Sequence, residues 1–150
     1  MLVLVLPSWA WDRIIAHCLD GLPLEACGLV AGDGPGASSL APRRGGVEAP
    51  TIVREVYPAA NAARSARLYT IEPRDLLRAD RAAETAGLSL IGVWHSHTHT
   101  PAYPSPTDVA QVPDPDWHYL LVSLSDTEPV LRSYRIVAGV VREETVATSV

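Results

Sequence analysis

Apolar and polar positions along this chain alternate with two different periods, and the switches between them mark out its elements. The opening MLVLVLP is apolar for six residues before Pro7 and reads as a first strand. Over residues 8–19 the period lengthens: Trp11, Ile14, Ile15 and Cys18 recur at helical spacing, with Ser8 placed as an N-cap and Gly21 as the stop. His17 falls on that helix as an ordinary, partly exposed residue. Residues 24–31, LEACGLVA, read as a buried strand carrying Glu25 near its start, and the two-residue period puts Cys27 on the same face. Residues 33–50 are rich in Gly, Pro and Ser and predict a long hairpin loop, in which Arg43 and Arg44 read as a solvated pair.

The second half continues the pattern. Residues 51–57 alternate as a strand closed by Pro58, 61–67 form a loop, and 68–71 a short strand. Leu76, Leu77, Ala79 and Ala83 then line one helix over 72–86, stopped by Gly87. The run 88–94 is continuously apolar or β-branched and reads as a buried strand. Beyond Pro113 and Pro115, residues 117–124, 130–137 and 140–146 form a meander of strands. Together these elements predict an α/β fold, a curved mixed β-sheet flanked by helices, as a single domain over residues 1–150.

Composition narrows the class. A hydrophobic content of 47% belongs to a folded chain, and 150 residues suit one core rather than two. The net charge is −5 and the basic residues are scattered, which argues against a nucleic-acid partner. No stretch approaches the roughly 18 apolar residues of a membrane span. Cys18 and Cys27 are the only cysteines, too few for a disulfide framework, and they fit a reducing, cytoplasmic setting as buried packing residues. All 12 basic residues are arginine, which codon bias explains without any functional argument.

The candidate chemistry lies at the end of the 88–94 run. His95 and His97 flank Ser96, so on a strand both imidazoles point the same way, roughly 6 to 7 Å apart at their Cα atoms. Ser105-Pro106-Thr107-Asp108 is how a helix begins, with serine at the N-cap, proline at the first helical position and an acidic residue three after the cap. Asp108 then sits in a first turn, able to face the strand end. Alone, a His-x-His is a common accident and a Ser-x-x-Asp is usually only a cap. Strand, loop and helix start in this order make two imidazoles and a carboxylate, a three-ligand set whose fourth position stays open. The same set also describes non-haem iron oxygenases. A zinc deaminase is disfavoured because no Pro-Cys-x-x-Cys is present.

His95-x-His97, seven residues, Ser105, two residues and Asp108, preceded by Glu25-Ala26-Cys27-Gly28, resembles the JAMM motif of the MPN+ (Mov34-type) zinc metallopeptidases. The wording HSHT, AYPS, TDV, HYLLVSLSD and LRSYRIVAG resembles the short bacterial branch of Mec-type hydrolases, over nearly the whole chain except residues 33–50. That resemblance implies Zn2+ held by His95, His97 and Asp108, with Glu25 as general base and Ser105 stabilising the oxyanion. It implies a ubiquitin-like sulfur-carrier protein as substrate, cleaved at the amide after its C-terminal glycine with release of cysteine. A broader deconjugase or precursor-trimming enzyme is the second reading. His99 invites a three-histidine site, but Thr100-Pro101 ends the strand before it could share the face, and the family carries no ligand there. His118 reads as structural. Oligomeric state and the carrier-docking surface cannot be read from the residues.

Overall fold

The computed structural model describes residues 3–33 and 50–149. The elements, in chain order, are β1 (Val3–Pro7), α1 (Ser8–Asp20), β2 (Cys27–Gly32), β3 (Thr51–Ala59), α2 (Pro73–Thr85), β4 (Ser89–His97), α3 (Pro106–Ala110), β5 (His118–Ser123), β6 (Val130–Val137) and β7 (Val140–Ser149). Their lateral order is β1-β3-β2-β4-β5-β6-β7, and β7 returns to pair with β1. The expected curved sheet therefore curls until its edges meet and forms a closed barrel. It is mixed, as expected: β4–β5, β1–β3 and β1–β7 are parallel and the other pairs antiparallel.

Alternation along the strands divides the interior in two. One face sends Leu4, Leu6, Val30, Trp94, Leu120 and Val122 against Ala10, Ile14 and Cys18 of α1. The other sends Leu29, Val93, Leu121 and Tyr134 toward Ala79 of α2. Trp94 is fully buried, and its ring lies where a Cβ on Gly28 would come within 2.2 Å, so only glycine fits opposite it. Helix α2 stops in a Schellman arrangement. Gly87 takes φ +73°, while Leu88 N–H donates to the Ala83 carbonyl at 2.8 Å and Gly87 N–H to that of Glu84 at 3.0 Å. The chain then enters β4 at once, so this cap sets the register of the strand that carries the histidines.

Several local expectations change. Pro7, not Ser8, stands at the N-cap of α1, with no side-chain cap, because β1 runs directly into the helix. The strand expected from residue 24 begins at Cys27, leaving Glu25 just outside the sheet. Residues 68–71 are not a strand but a single antiparallel bridge, Asn61 to Ile71. The cause is local: Asn61 Nδ2 donates to the Leu68 carbonyl at 2.9 Å and its Oδ1 accepts from Thr70 N–H at 3.0 Å, occupying groups a strand partner would need. β3 runs one residue past Pro58 and β7 extends to Ser149. Residues 34–49 of the long loop, with Arg43 and Arg44, lie outside the described residues; Asp33 at its start pairs with Arg54 at 3.4 Å.

Candidate metal centre

Three separate segments converge at the end of β4. Period-two alternation turns His95 and His97 to the face of Val93, and both are buried. Their Nε2 atoms lie 3.3 Å apart. Asp108 reaches the same point from the first turn of α3, its Oδ2 3.2 Å from each of the two nitrogens. The capping box makes this possible: Ser105 Oγ accepts from Asp108 N–H at 3.1 Å, and Ser105 N–H donates back to Asp108 Oδ2 at 2.8 Å. The loop between is pinned by Ser123 Oγ, which donates to the Thr100 carbonyl at 2.6 Å, and by the Tyr134 hydroxyl, which donates to that of Ala102.

Whether a metal fits is decided by the donor set. His97 Nδ1 lies 2.9 Å from the Pro101 carbonyl, which can only accept, so the ring proton sits on Nδ1 and the Nε2 lone pair faces inward. A carboxylate oxygen beside it is also an acceptor. Lone pairs held together this way repel unless a cation lies among them. Ligand atoms about 2.0 to 2.1 Å from a tetrahedral centre are about 3.3 to 3.4 Å apart. The triangle of 3.2, 3.2 and 3.3 Å matches that edge, so the residues present fit a small tetrahedral ion.

Glu25 stands beside this triangle. Its Oε1 is 3.9 Å from His97 Nε2, and Glu25, His95 and His97 offer ligand atoms all within 4.8 Å of one another. Only 4% of Glu25 is exposed, and its Oε2 has no hydrogen-bond partner among the described residues. Burial raises its pKa to about 7, with the nearby His97 pulling down and Asp108 pushing up. Asp108 behaves oppositely. Burial pushes its pKa up, but the His95 and His97 rings set against it and the Ser105 N–H outweigh that and hold it well below the usual carboxylate range. Burial lowers the pKa of His95. Burial also pulls His97 down, but the nearby Asp108 carboxylate and the bond to the Pro101 carbonyl prevail and the net shift is upward.

The structure thus brings Glu25, His95, His97, Ser105 and Asp108 together. It leaves His99 exposed beyond the end of β4. His118 lies buried elsewhere, its Nδ1 2.5 Å from Glu144 Oε1, a partner that also accepts from Ser133 Oγ at 2.7 Å. Two neighbours were not foreseen. Tyr69 stacks on the His95 ring at 4.0 Å between centroids and 20° between planes. It also walls a mostly apolar cleft with Leu29, Ile71, Val93 and Trp117. Asn61, in the run AANAA, ties that segment to Glu25. The only local signal for either is that asparagine favours turns.

A donor set shaped for a cation, with an ionisable carboxyl held beside it on a mixed sheet between two helices, defines a metal-dependent hydrolase of the JAMM type. The chain belongs to the family of prokaryotic homologs of the JAB domain, whose model matches residues 7–137. It is 40% identical over 145 residues to a Mycobacterium tuberculosis protein named CysO-cysteine peptidase, covering 96% of this chain and 90% of that one. It is 30% identical over 125 residues to a Haloferax volcanii protein named desampylase, covering 80% of each. The solution structure of a Desulfitobacterium hafniense protein superposes with a TM-score of 0.80 at 32% identity, over 99% of this chain and 93% of that one.

Proposed function

We propose that this protein is a cytoplasmic zinc hydrolase, one catalytic domain over residues 1–150, that cleaves the amide bond following the C-terminal glycine of a ubiquitin-like sulfur-carrier protein and releases cysteine. The observation that carries the reading is the triangle of acceptor atoms on His95, His97 and Asp108 with the unpartnered Glu25 carboxyl next to it. The likeness to a protein named CysO-cysteine peptidase supports the substrate class. The likeness to a protein named desampylase favours a second reading, in which other ubiquitin-like conjugates are cleaved. Among the described residues, no helix is long and apolar enough to cross a membrane.

In this reading His95, His97 and Asp108 hold Zn2+. When bound, such an ion supplies a water acidified toward neutral pH and polarises the scissile carbonyl. Glu25 takes the proton of the attacking water on its carboxylate and delivers it to the departing amine, acting as base and then as acid. Its pKa near 7 suits both roles. Ser105 Oγ uses a lone pair for the helix cap, which leaves its hydroxyl proton free to donate to the carbonyl oxygen as charge develops there.

The test is to incubate the purified protein with a carrier–cysteine adduct and, separately, with a ubiquitin-like fusion, and to weigh the products. Release of cysteine from the adduct is expected. Cleavage of the fusion alone would replace the first reading with the second, and cleavage of neither would reject both. Glu25→Gln should keep the metal yet lose turnover by about 100-fold or more. His97→Ala should lose both, and turnover that survived either change would contradict the assigned roles.

A further inference from the structure

We infer that Asn61 is the positioning residue for Glu25: its carboxamide ties the backbone of the base, and the loop carrying Tyr69, into one bracket over the metal-ligand triangle. The inference deepens the reading just given and rests on it for the identity of the base. Its physical origin is that Glu25 lies just outside the sheet. The neighbouring Ala26 is fixed to β4, its N–H donating to Ser96 Oγ at 2.9 Å and its carbonyl accepting from Ser96 N–H at 3.0 Å. Glu25 has no such strand partner. Its N–H donates to the Ser65 carbonyl at 2.8 Å, and its own carbonyl accepts from Asn61 Nδ2 at 3.0 Å. Both bonds lead to one loop.

That loop, in turn, is organised by the same side chain. Asn61 Nδ2 also donates to the Leu68 carbonyl at 2.9 Å, and Oδ1 accepts from Ala63 N–H and Thr70 N–H, each at 3.0 Å. Tyr69 is thereby held between two anchored neighbours while it stacks on His95. A second tether closes the bracket, where Thr98 Oγ1, just after β4, donates to the Ala66 carbonyl at 3.2 Å. One amide therefore joins the backbone of the base to the loop that stacks on the imidazole. Asparagine suits the post because it offers two donors and an acceptor on one short, flat group. Aspartate of the same shape would keep the acceptor and lose both donors.

The experiment compares wild type with Asn61→Asp, in the full chain, by three measurements: steady-state turnover of a carrier–cysteine adduct, zinc content after dialysis, and amide hydrogen exchange. Exchange is read whether or not the adduct is cleaved, so an inactive wild type would reject the proposed substrate and leave this inference to be decided by exchange. We expect kcat to fall about 10- to 100-fold, since small misplacement of a catalytic group carries losses of that size, with KM nearly unchanged and zinc retained. The Glu25 amide should exchange about tenfold faster or more, with the Thr70 amide, whose acceptor is kept, and those of β4 unaffected, as for a local opening. A purely structural role would lower the melting temperature without changing kcat per folded molecule. Should Asn61→Asp fail to fold, Thr98→Val loosens the same loop isosterically and should give a smaller loss, about threefold to tenfold, with zinc again retained. Unchanged kcat, unchanged exchange at Glu25, or a fall in kcat matched by loss of zinc overturns the inference.

Discussion

At the scale of single residues, the site is built from opposed carboxylates. Asp108 accepts from Ser105 N–H and lies against both imidazoles, which favours its charged form. Glu25 is buried with one oxygen unpartnered, which favours its neutral form. The two shifts have opposite consequences for stability. A carboxyl whose pKa rises on folding, here from 4.5 to about 7, binds more protons in the native state than in the unfolded one between those values. Stability from this group is therefore greatest below the unfolded pKa and is lost as pH rises through about 7. In metal-stripped protein, Glu25→Gln should unfold at nearly the same urea concentration as wild type near pH 4.5, then become the more stable of the two as the pH rises toward 8. The gap at pH 8 should be on the order of 3 kcal/mol. Urea titrations at several pH values measure it, and a gap independent of pH would show that Glu25 does not ionise inside the fold with a raised pKa.

At the scale of elements, α3 shows how secondary structure and chemistry share atoms. Asp108 Oδ2 closes the capping box and is also the oxygen aimed at both histidines, so the helix start orients that carboxylate. Ser105→Ala removes the cap acceptor and the free hydroxyl together. It should cost about 1 kcal/mol of stability and about 100-fold in kcat. Ser105→Thr keeps both functions and should lie close to wild type in thermal melts and in turnover, which separates the hydroxyl from the residue's size. Elements of this kind are legible in the sequence because their causes are local. Alternation alone turns His95 and His97 to one face, and a four-residue cap places Asp108. Glu25 is different, since residues 24–31 read as uninterrupted strand and only the family resemblance singles out its carboxylate. Asn61 and Tyr69 carry no periodic pattern, because the contacts that matter to the site, Asn61 with Glu25 and Tyr69 with His95, reach segments tens of residues away. The mistaken strand at 68–71 has a local cause instead, the Asn61 side chain taking the place of a strand neighbour.

At the scale of the whole molecule, the centre exists only when the chain is folded. Glu25 precedes β2, His95 and His97 end β4, and Asp108 opens α3, and each element takes its place from a sheet that closes through the parallel pairing of β1 with β7. In an unfolded chain of 150 residues the Glu25 and Asp108 segments have no reason to meet the histidines. A metal ion that binds the native triangle therefore binds the native state alone, and its binding free energy adds to folding. Without it, the inward lone pairs of two imidazoles and a carboxylate are left facing one another. Removing the metal with a chelator should lower the melting temperature as well as abolish turnover, and added zinc should restore both. At a free zinc concentration about 100 times its dissociation constant the stabilisation is about 2.7 kcal/mol. For a chain of this size that corresponds to a shift of roughly 5 to 10 °C. His97→Ala, lacking one corner of the triangle, should melt at nearly the same temperature with and without chelator. Calorimetry of both proteins under the two conditions checks this, and a wild-type melting temperature indifferent to zinc would mean that the triangle does not hold the ion.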